Sequence, residues 1–223
     1  MDSPHLYRIV SFSTLVDLFE TRSLYFSSPK AWPDPFEQTL QHRDSNNIFG
    51  QCWCKTAVSD AMWRIYSPEA TAVRIKTSGS KLRNALLAAT ENEPVQCFVD
   101  DVTYLTASKV TAEFLRLRQT LQSRFELATA VRGIFLKRDA FDHEAEVRAV
   151  LRADESVVVT RNERRYVRVR VDPHTLVDSI MFDPRAEDGH MKVCKYYLQH
   201  ALKYQGEAKK SQLYRVREGI VAK

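Results

Sequence analysis

The sequence predicts an α+β fold, one domain over residues 1–223, with mixed or antiparallel sheets and flanking helices. Three observations predict it. Strand-like segments outnumber helical ones, and the two kinds do not alternate strictly, as a doubly wound parallel sheet would require. No repeat, low-complexity tract or linker divides the 223 residues. A composition of 44% hydrophobic and 27% charged residues suits a globular chain with a buried core.

The elements follow in order. His5 to Val10 reads as a strand, and Ser13 caps a helix through Glu20 that buries Leu15, Leu18 and Phe19. Ser23 to Ser27 is a second strand. Pro29 to Glu37 holds three prolines within seven residues, which fix φ and remove donors, so this loop is stiff. Phe49 to Lys55 is extended, Ser59 caps a helix carrying Met62, Trp63 and Tyr66, and Ala70 to Lys76 is a strand. A helix at Lys81 to Thr90 and an extended run at Val95 to Leu105 precede the longest helix, Ser108 to Val131. Its stripe is Val110, Phe114, Leu117, Leu121 and Phe125. Strands are expected at Gly133 to Leu136, Glu144 to Arg152, Ser156 to Thr160, Arg165 to Val171 and Val177 to Phe182. A helix from Glu187 to Tyr204 and a strand at Gln212 to Val216 close the chain.

Composition removes several function classes. No apolar run approaches the ~20 residues of a membrane helix. Asp2, His5 and Arg8 at the N-terminus do not form a secretory signal, so a cytoplasmic location and no membrane partner are expected. Cys52, Cys54, Cys97 and Cys194 lack zinc-site spacing and read as buried thiols. No metal is expected. Six glycines and no Gly-rich phosphate loop argue against Rossmann or P-loop binding, and neither a G-x-S-x-G elbow nor an H-E-x-x-H helix is present. The net charge is +5, with Arg161, Arg164, Arg165, Arg168 and Arg170 crowded into one segment. Either they form a solvated strand face, or Arg165, Arg168 and Arg170 track the phosphates of a nucleic acid.

Four clusters carry residues suited to chemistry. Arg8 beside Tyr7 is either a surface arginine or a fork for phosphate or carboxylate. In Leu24 to Glu37, aromatics with Ser27, Ser28, Asp34 and Glu37 suit a flat ring bearing a sugar, or simply pack over the core with Asp34 capping a turn. Trp63 and Tyr66 share a helical face, either as core or as a ligand wall. Glu144, Glu146 and Arg148 alternate onto one strand side, either as solvated ion pairs or as a functional face.

These motifs in this order resemble a large, mostly uncharacterised bacterial family. They are Leu24-Tyr25-Phe26-Ser27-Ser28-Pro29, Asp34-Pro35-Phe36-Glu37, Met62-Trp63-x-x-Tyr66, Lys137, Glu144-x-Glu146-x-Arg148 and Ile180-Met181-Phe182-Asp183-Pro184. Pro33 stands where that family has asparagine, Phe141 where it has tryptophan, and no His-x-Gly follows Tyr66. The layout is similar to that of ADP-ribosyltransferases of the DNA-targeting toxin type. That resemblance implies an ADP-ribosyltransferase-like fold with NAD⁺ as substrate. By it, Arg8 meets the diphosphate or ribose, Tyr25 or Tyr66 stacks nicotinamide, and Ser27 lies at the nucleotide. Glu146 serves the nicotinamide ribose, Glu144 faces the acceptor, and Arg148 orients them. A toxin or phage-defence role is implied. The alternatives are a non-catalytic nucleotide- or nucleic-acid-binding protein on the same scaffold, and a metal-dependent nuclease built on Glu144 and Glu146.

Overall fold

The computed structural model describes residues 4–216. The chain runs β1 (His5–Val10), α1 (Phe12–Thr21), β2 (Ser23–Ser27), β3 (Ile48–Cys54), α2 (Asp60–Tyr66), β4 (Val73–Ser78) and α3 (Gly79–Thr90). It continues through β5 (Val95–Asp101), β6 (Thr103–Leu105), α4 (Ala107–Ser123), α5 (Leu127–Arg132), β7 (Leu136–Arg138) and β8 (Glu146–Ala153). The last part holds β9 (Val158–Arg161), β10 (Arg164–Arg170), α6 (Pro173–Leu176), β11 (Ser179–Phe182), α7 (Asp188–His200) and β12 (Glu207–Lys210). This is a mixed α+β domain whose main sheet is mostly antiparallel, as the sequence predicts; only β11 and β12 pair in parallel within it. The main core lies where α1, α3 and α7 pack Leu15, Leu18, Phe19, Leu82, Leu86 and Leu198 against Phe49, Trp53, Val147 and Leu151. Burying each such side chain is worth about 1.5–3 kcal/mol.

The position of the cleft follows from β3. One edge of β3 pairs with β8 along its whole length, from Ile48↔Arg152 to Cys54↔Glu146. The other edge makes a single pair with β2, Ser27↔Gly50, and a single pair with β1, Tyr7↔Cys54. The sheet therefore forks along β3. An open ladder leaves backbone groups to satisfy. Gln51 meets that need: its side-chain amide donates to the Tyr25 carbonyl at 3.0 Å and its oxygen accepts from the Trp53 indole at 2.9 Å.

Four local expectations are corrected. Ser11, not Ser13, caps α1, its hydroxyl accepting from the Thr14 amide. The long helix breaks at Arg124, which is extended (φ −149°). Thr120 and Ser123 bond back to main-chain carbonyls there, and Phe125 leaves the helical stripe to pack on His42 and Arg43. Gly133–Phe135 is a 3-10 turn, and the strand beside it starts at Leu136. The closing strand is Glu207–Lys210 rather than residues 212–216. It is a polar four-residue strand beside β11, and neither face of it shows hydrophobic alternation.

Candidate functional site

Where β1 and β2 diverge along β3 lies a cleft of about 300 Å³. Its lining comes from every motif the sequence singled out before residue 150: Arg8 from β1, Ser27 from β2, Trp32 and Glu37 from the proline loop, Tyr66 from α2, and Lys137, Glu144, Glu146 and Arg148. Rigid turns hold the proline loop. Asp34 caps its second 3-10 turn and pairs with Arg138 at 2.8 Å, while Arg138 stacks on Phe36 and Phe141. Trp32 comes close to β3 because residue 50 is glycine; a Cβ there would sit 2.6 Å from the indole.

At the floor, five charged groups form one buried network. Lys137 Nζ donates to Glu144 Oε2 at 2.5 Å and to Glu146 Oε1 at 3.0 Å. Arg148 donates through Nε to Glu146 at 2.7 Å, to the Ile134 carbonyl at 2.5 Å, and also to Glu37. The Trp32 ring covers the Arg148 guanidinium at 4.5 Å. Arg148 is 0% exposed and the two glutamates 5% each, so the sequence's alternative of a solvated ion-paired face does not apply. Three carboxylates meet two cations in this network, which leaves one negative charge in excess when all are ionised.

Burial holds Glu37 above the usual carboxylate range, and the excess bears most on Glu144. Burial, reinforced by the adjoining Glu146 carboxylate, pushes its pKa up to about 7. Burial works against Glu146 as well, but Arg148 and Lys137 outweigh it and hold Glu146 below the usual carboxylate range. Burial opposes the charge on Lys137, yet its three carboxylate neighbours hold its pKa above the ordinary value. Near neutrality the floor thus offers one fixed anion and one carboxyl that exchanges a proton. Tyr66 donates its hydroxyl to Glu144 Oε1 at 3.3 Å, and its own pKa is raised by burial and by the two glutamates. Cys52, also in the cleft, is pushed up to about 12 by burial, so it is a thiol and not a nucleophile at neutral pH.

The strand expectation for Glu144 is corrected. Residues Asp139–Glu144 form a 3-10 turn, Ala145 is left-handed (φ 44°), and β8 begins only at Glu146. The two glutamates converge through this strained turn, not through strand alternation. A non-glycine residue at positive φ costs on the order of 1 kcal/mol, and the Ala145 carbonyl is held by the Lys55 amide at 3.0 Å.

Arg8 stands apart from the network. It lines the cleft, burial pulls its pKa below the ordinary arginine value, and among the described residues no carboxylate pairs with it. Tyr25 does not line the cleft. It packs on Tyr166 with Arg168 over both rings, at 5.3 and 5.6 Å. Of the three arginines read as one nucleic-acid surface, Arg168 and Arg170 share a strand face and Arg165 does not. Arg165 is bound to Glu155 at 2.6 Å on the opposite strand face from Arg168, and Arg170 lines a shallow groove with Lys81 and Thr175. Lys137 and Gln51 received no role from the sequence, and Trp32 entered only among the aromatics of the proline loop. Lys137 sits in a three-residue strand that has no periodicity to betray it.

A family described as a protein of unknown function (DUF2971) matches residues 62–149, the stretch from α2 to β8. No curated protein matches the chain. Among solved structures, the chain is similar to Thermus sp. 2.9 DarT in complex with NAD⁺, at 9% identity and TM-score 0.43, covering 95% of this chain and 97% of that one. The carba-NAD⁺ complex of that protein gives 9% and 0.40, over 96% and 97%. Its complex with ADP-ribosylated ssDNA gives 9% and 0.42, over 96% and 98%.

Proposed function

We propose that the cleft binds NAD⁺ and breaks its nicotinamide glycosidic bond, as an ADP-ribosyltransferase-like enzyme of the toxin or phage-defence kind. One observation carries the reading. An arginine with no carboxylate partner among the described residues and a buried pair of carboxylates shifted in opposite directions face the same 300 Å³ space. A ligand with an anionic diphosphate and a sugar joined to a cationic ring is complementary to both ends.

Arg8 gains the counter-ion it lacks when a phosphate enters. Tyr66 and Trp32 are the aromatic walls for nicotinamide, and Ser27 lies at the rim toward the rest of the nucleotide. The C1′–N bond breaks with its electron pair leaving on nicotinamide, and positive charge builds on the ribose. Glu146, ionised and pinned by Lys137 and Arg148, accepts from the ribose hydroxyl and stabilises that charge without reorganising. An acceptor hydroxyl or amine then bonds to C1′ and its proton passes to Glu144, whereas water that attacks instead gives its proton to bulk solvent. Arg148, fully buried, orients Glu146 and Glu37 and does not reach for the ligand.

Release of nicotinamide from NAD⁺ by the purified protein, together with a rise in melting temperature on adding NAD⁺, tests the reading. Neither effect at millimolar NAD⁺ with nucleic-acid and protein acceptors present would overturn it. A second reading, binding of a nucleotide or nucleic acid without catalysis, is favoured by the Tyr25–Tyr166–Arg168 cluster. It lies on the sheet face of Ser27, which is paired with Tyr166. The nuclease reading is disfavoured, because the Lys137 ammonium sits between the two carboxylates and a divalent ion would have to displace it.

A further inference from the structure

The stretch Ile180-Met181-Phe182-Asp183-Pro184 stands out in the sequence, yet it contributes nothing to the cleft lining. Its role lies behind α2. This helix has seven residues, too few to hold its own shape in water, and beyond the Ser67 amide on the Trp63 carbonyl its last carbonyls have no partner within the helix. Tyr66 is its final residue. Asp183 follows β11 directly, is 0% exposed, and accepts from the Arg185 amide at 2.8 Å and from Nε and Nη2 of the Arg185 guanidinium at 3.0 and 2.8 Å. Held in that plane, Arg185 donates to the carbonyls of Trp63 at 3.2 Å and Ser67 at 2.6 Å, which flank Tyr66. A cation at a helix C-terminus is also where the helix dipole favours it.

We propose that Asp183 and Arg185 are positioning residues for the cleft: they clamp the C-terminal end of α2 and thereby set the reach of the Tyr66 hydroxyl to Glu144. The clamp touches neither the cleft nor any reacting group, and it acts only through the helix end. This deepens the reading above by naming what fixes Tyr66, but it rests on the Tyr66–Glu144 contact and not on NAD⁺ turnover.

The test therefore follows the Glu144 carboxyl itself, by isotope-edited infrared or carbon-13 NMR titration of the free protein. The groups facing Glu144 are Lys137, Glu146 and Tyr66, with Tyr104 and Cys54 further off. Tyr66→Phe removes a donor to the ionised form, so its midpoint rises by about half a unit to one unit. Arg185→Met is expected to raise it equally, and the double variant no further. Arg185→Lys, which keeps the charge, recovers part of the shift. Asp183→Asn, which loosens the guanidinium without emptying its place, shifts in the same direction and stands in if Arg185→Met does not fold. A midpoint unchanged in the folded Arg185 and Asp183 variants overturns the proposal, as does a double variant that adds the two shifts. An unshifted Tyr66→Phe overturns it as well. A wild type that never consumes NAD⁺ leaves these titrations readable, so the two readings fail separately.

Discussion

Two arginines on strands of one sheet each lie over an aromatic ring, and they could hardly be used more differently. Arg148 on β8 sits 4.5 Å from the Trp32 ring and is 0% exposed, with Glu146, Glu37 and the Ile134 carbonyl on its nitrogens. Arg168 on β10 lies over Tyr25 and Tyr166, is exposed, and makes a single side-chain hydrogen bond, to the Tyr166 hydroxyl at 3.3 Å. The first is a fixed part whose charge is already spent on two carboxylates. The second has its charge available to whatever approaches. The number of arginines on a strand therefore says little about function; what each already holds decides it.

The widest separation between the two regions is in stability. Arg148→Met leaves Lys137 as the one remaining cation for three buried carboxylates, and breaking a buried pair from one side costs about 3–5 kcal/mol. Arg168→Met is expected to stay within about 0.5 kcal/mol of wild type. Denaturant titration of both variants checks this, and equal losses would erase the distinction between the regions.

Within the buried network, Glu146 and Glu144 divide the work. Glu146→Gln keeps the shape and removes the fixed anion, so nicotinamide release should fall by roughly 10²-fold or more, as for other deleted electrostatic stabilisers. Glu144→Gln should lower transfer to an acceptor more than hydrolysis, because it removes the proton acceptor and leaves the anion in place. Both are read as separate rates of nicotinamide release and product formation. A Glu146→Gln protein with wild-type turnover reassigns the stabilising role.

Their pKa values move in opposite directions, which gives the network a pH signature. The Glu144 value is raised to about 7 in the folded protein. Its contribution to stability is therefore fully present below the ordinary glutamate pKa and is lost as pH rises through about 7. Glu146 is lowered, so its contribution is present above the ordinary value and is lost as pH falls through the folded value. Between about pH 5.5 and 8.5 the Glu144 contribution is expected to fall by about 2 kcal/mol. Glu144→Gln should flatten that slope; a slope unchanged in the variant places the titrating group elsewhere.

The fold was more legible than the site, and for physical reasons. β1, β2 and the Ser59 cap of α2 come from local signals, period-two alternation and a side-chain oxygen at a helix start, and they lie where expected. The end of α4 and the strand β12 depend on tertiary packing and on an exposed edge, which leave no pattern. In the site, the motifs that line the cleft were visible as motifs, but their connections were not. Glu37 meets Arg148 across 111 residues, and Lys137 bridges two glutamates from a strand too short to read. The turn at Ala145 needs a positive φ without the glycine that would have announced it. Tyr25, a neighbour of Ser27 in sequence, faces the outer cluster because the fork in the sheet reaches only as far as Ser27.

The smallest expected effect belongs to the exposed region and concerns binding alone. If polynucleotide lies on β10, each arginine that meets a phosphate releases counterions, and replacing it with serine should flatten the salt dependence of log K by about 0.7–0.9 per contact. The structure ranks the three candidates. Arg168 has no carboxylate partner among the described residues and stands beside two tyrosine rings on which a base could stack. Arg165 is already neutralised by Glu155, and Arg170 lies in the groove beside α3. Arg168→Ser should therefore change affinity and slope most, Arg170→Ser less, and Arg165→Ser least. Fluorescence anisotropy with labelled single strands over a series of salt concentrations measures all three. Equal effects at the three positions would mean a diffuse positive surface rather than a defined path, and no wild-type binding at low salt would leave these arginines as a solvated face.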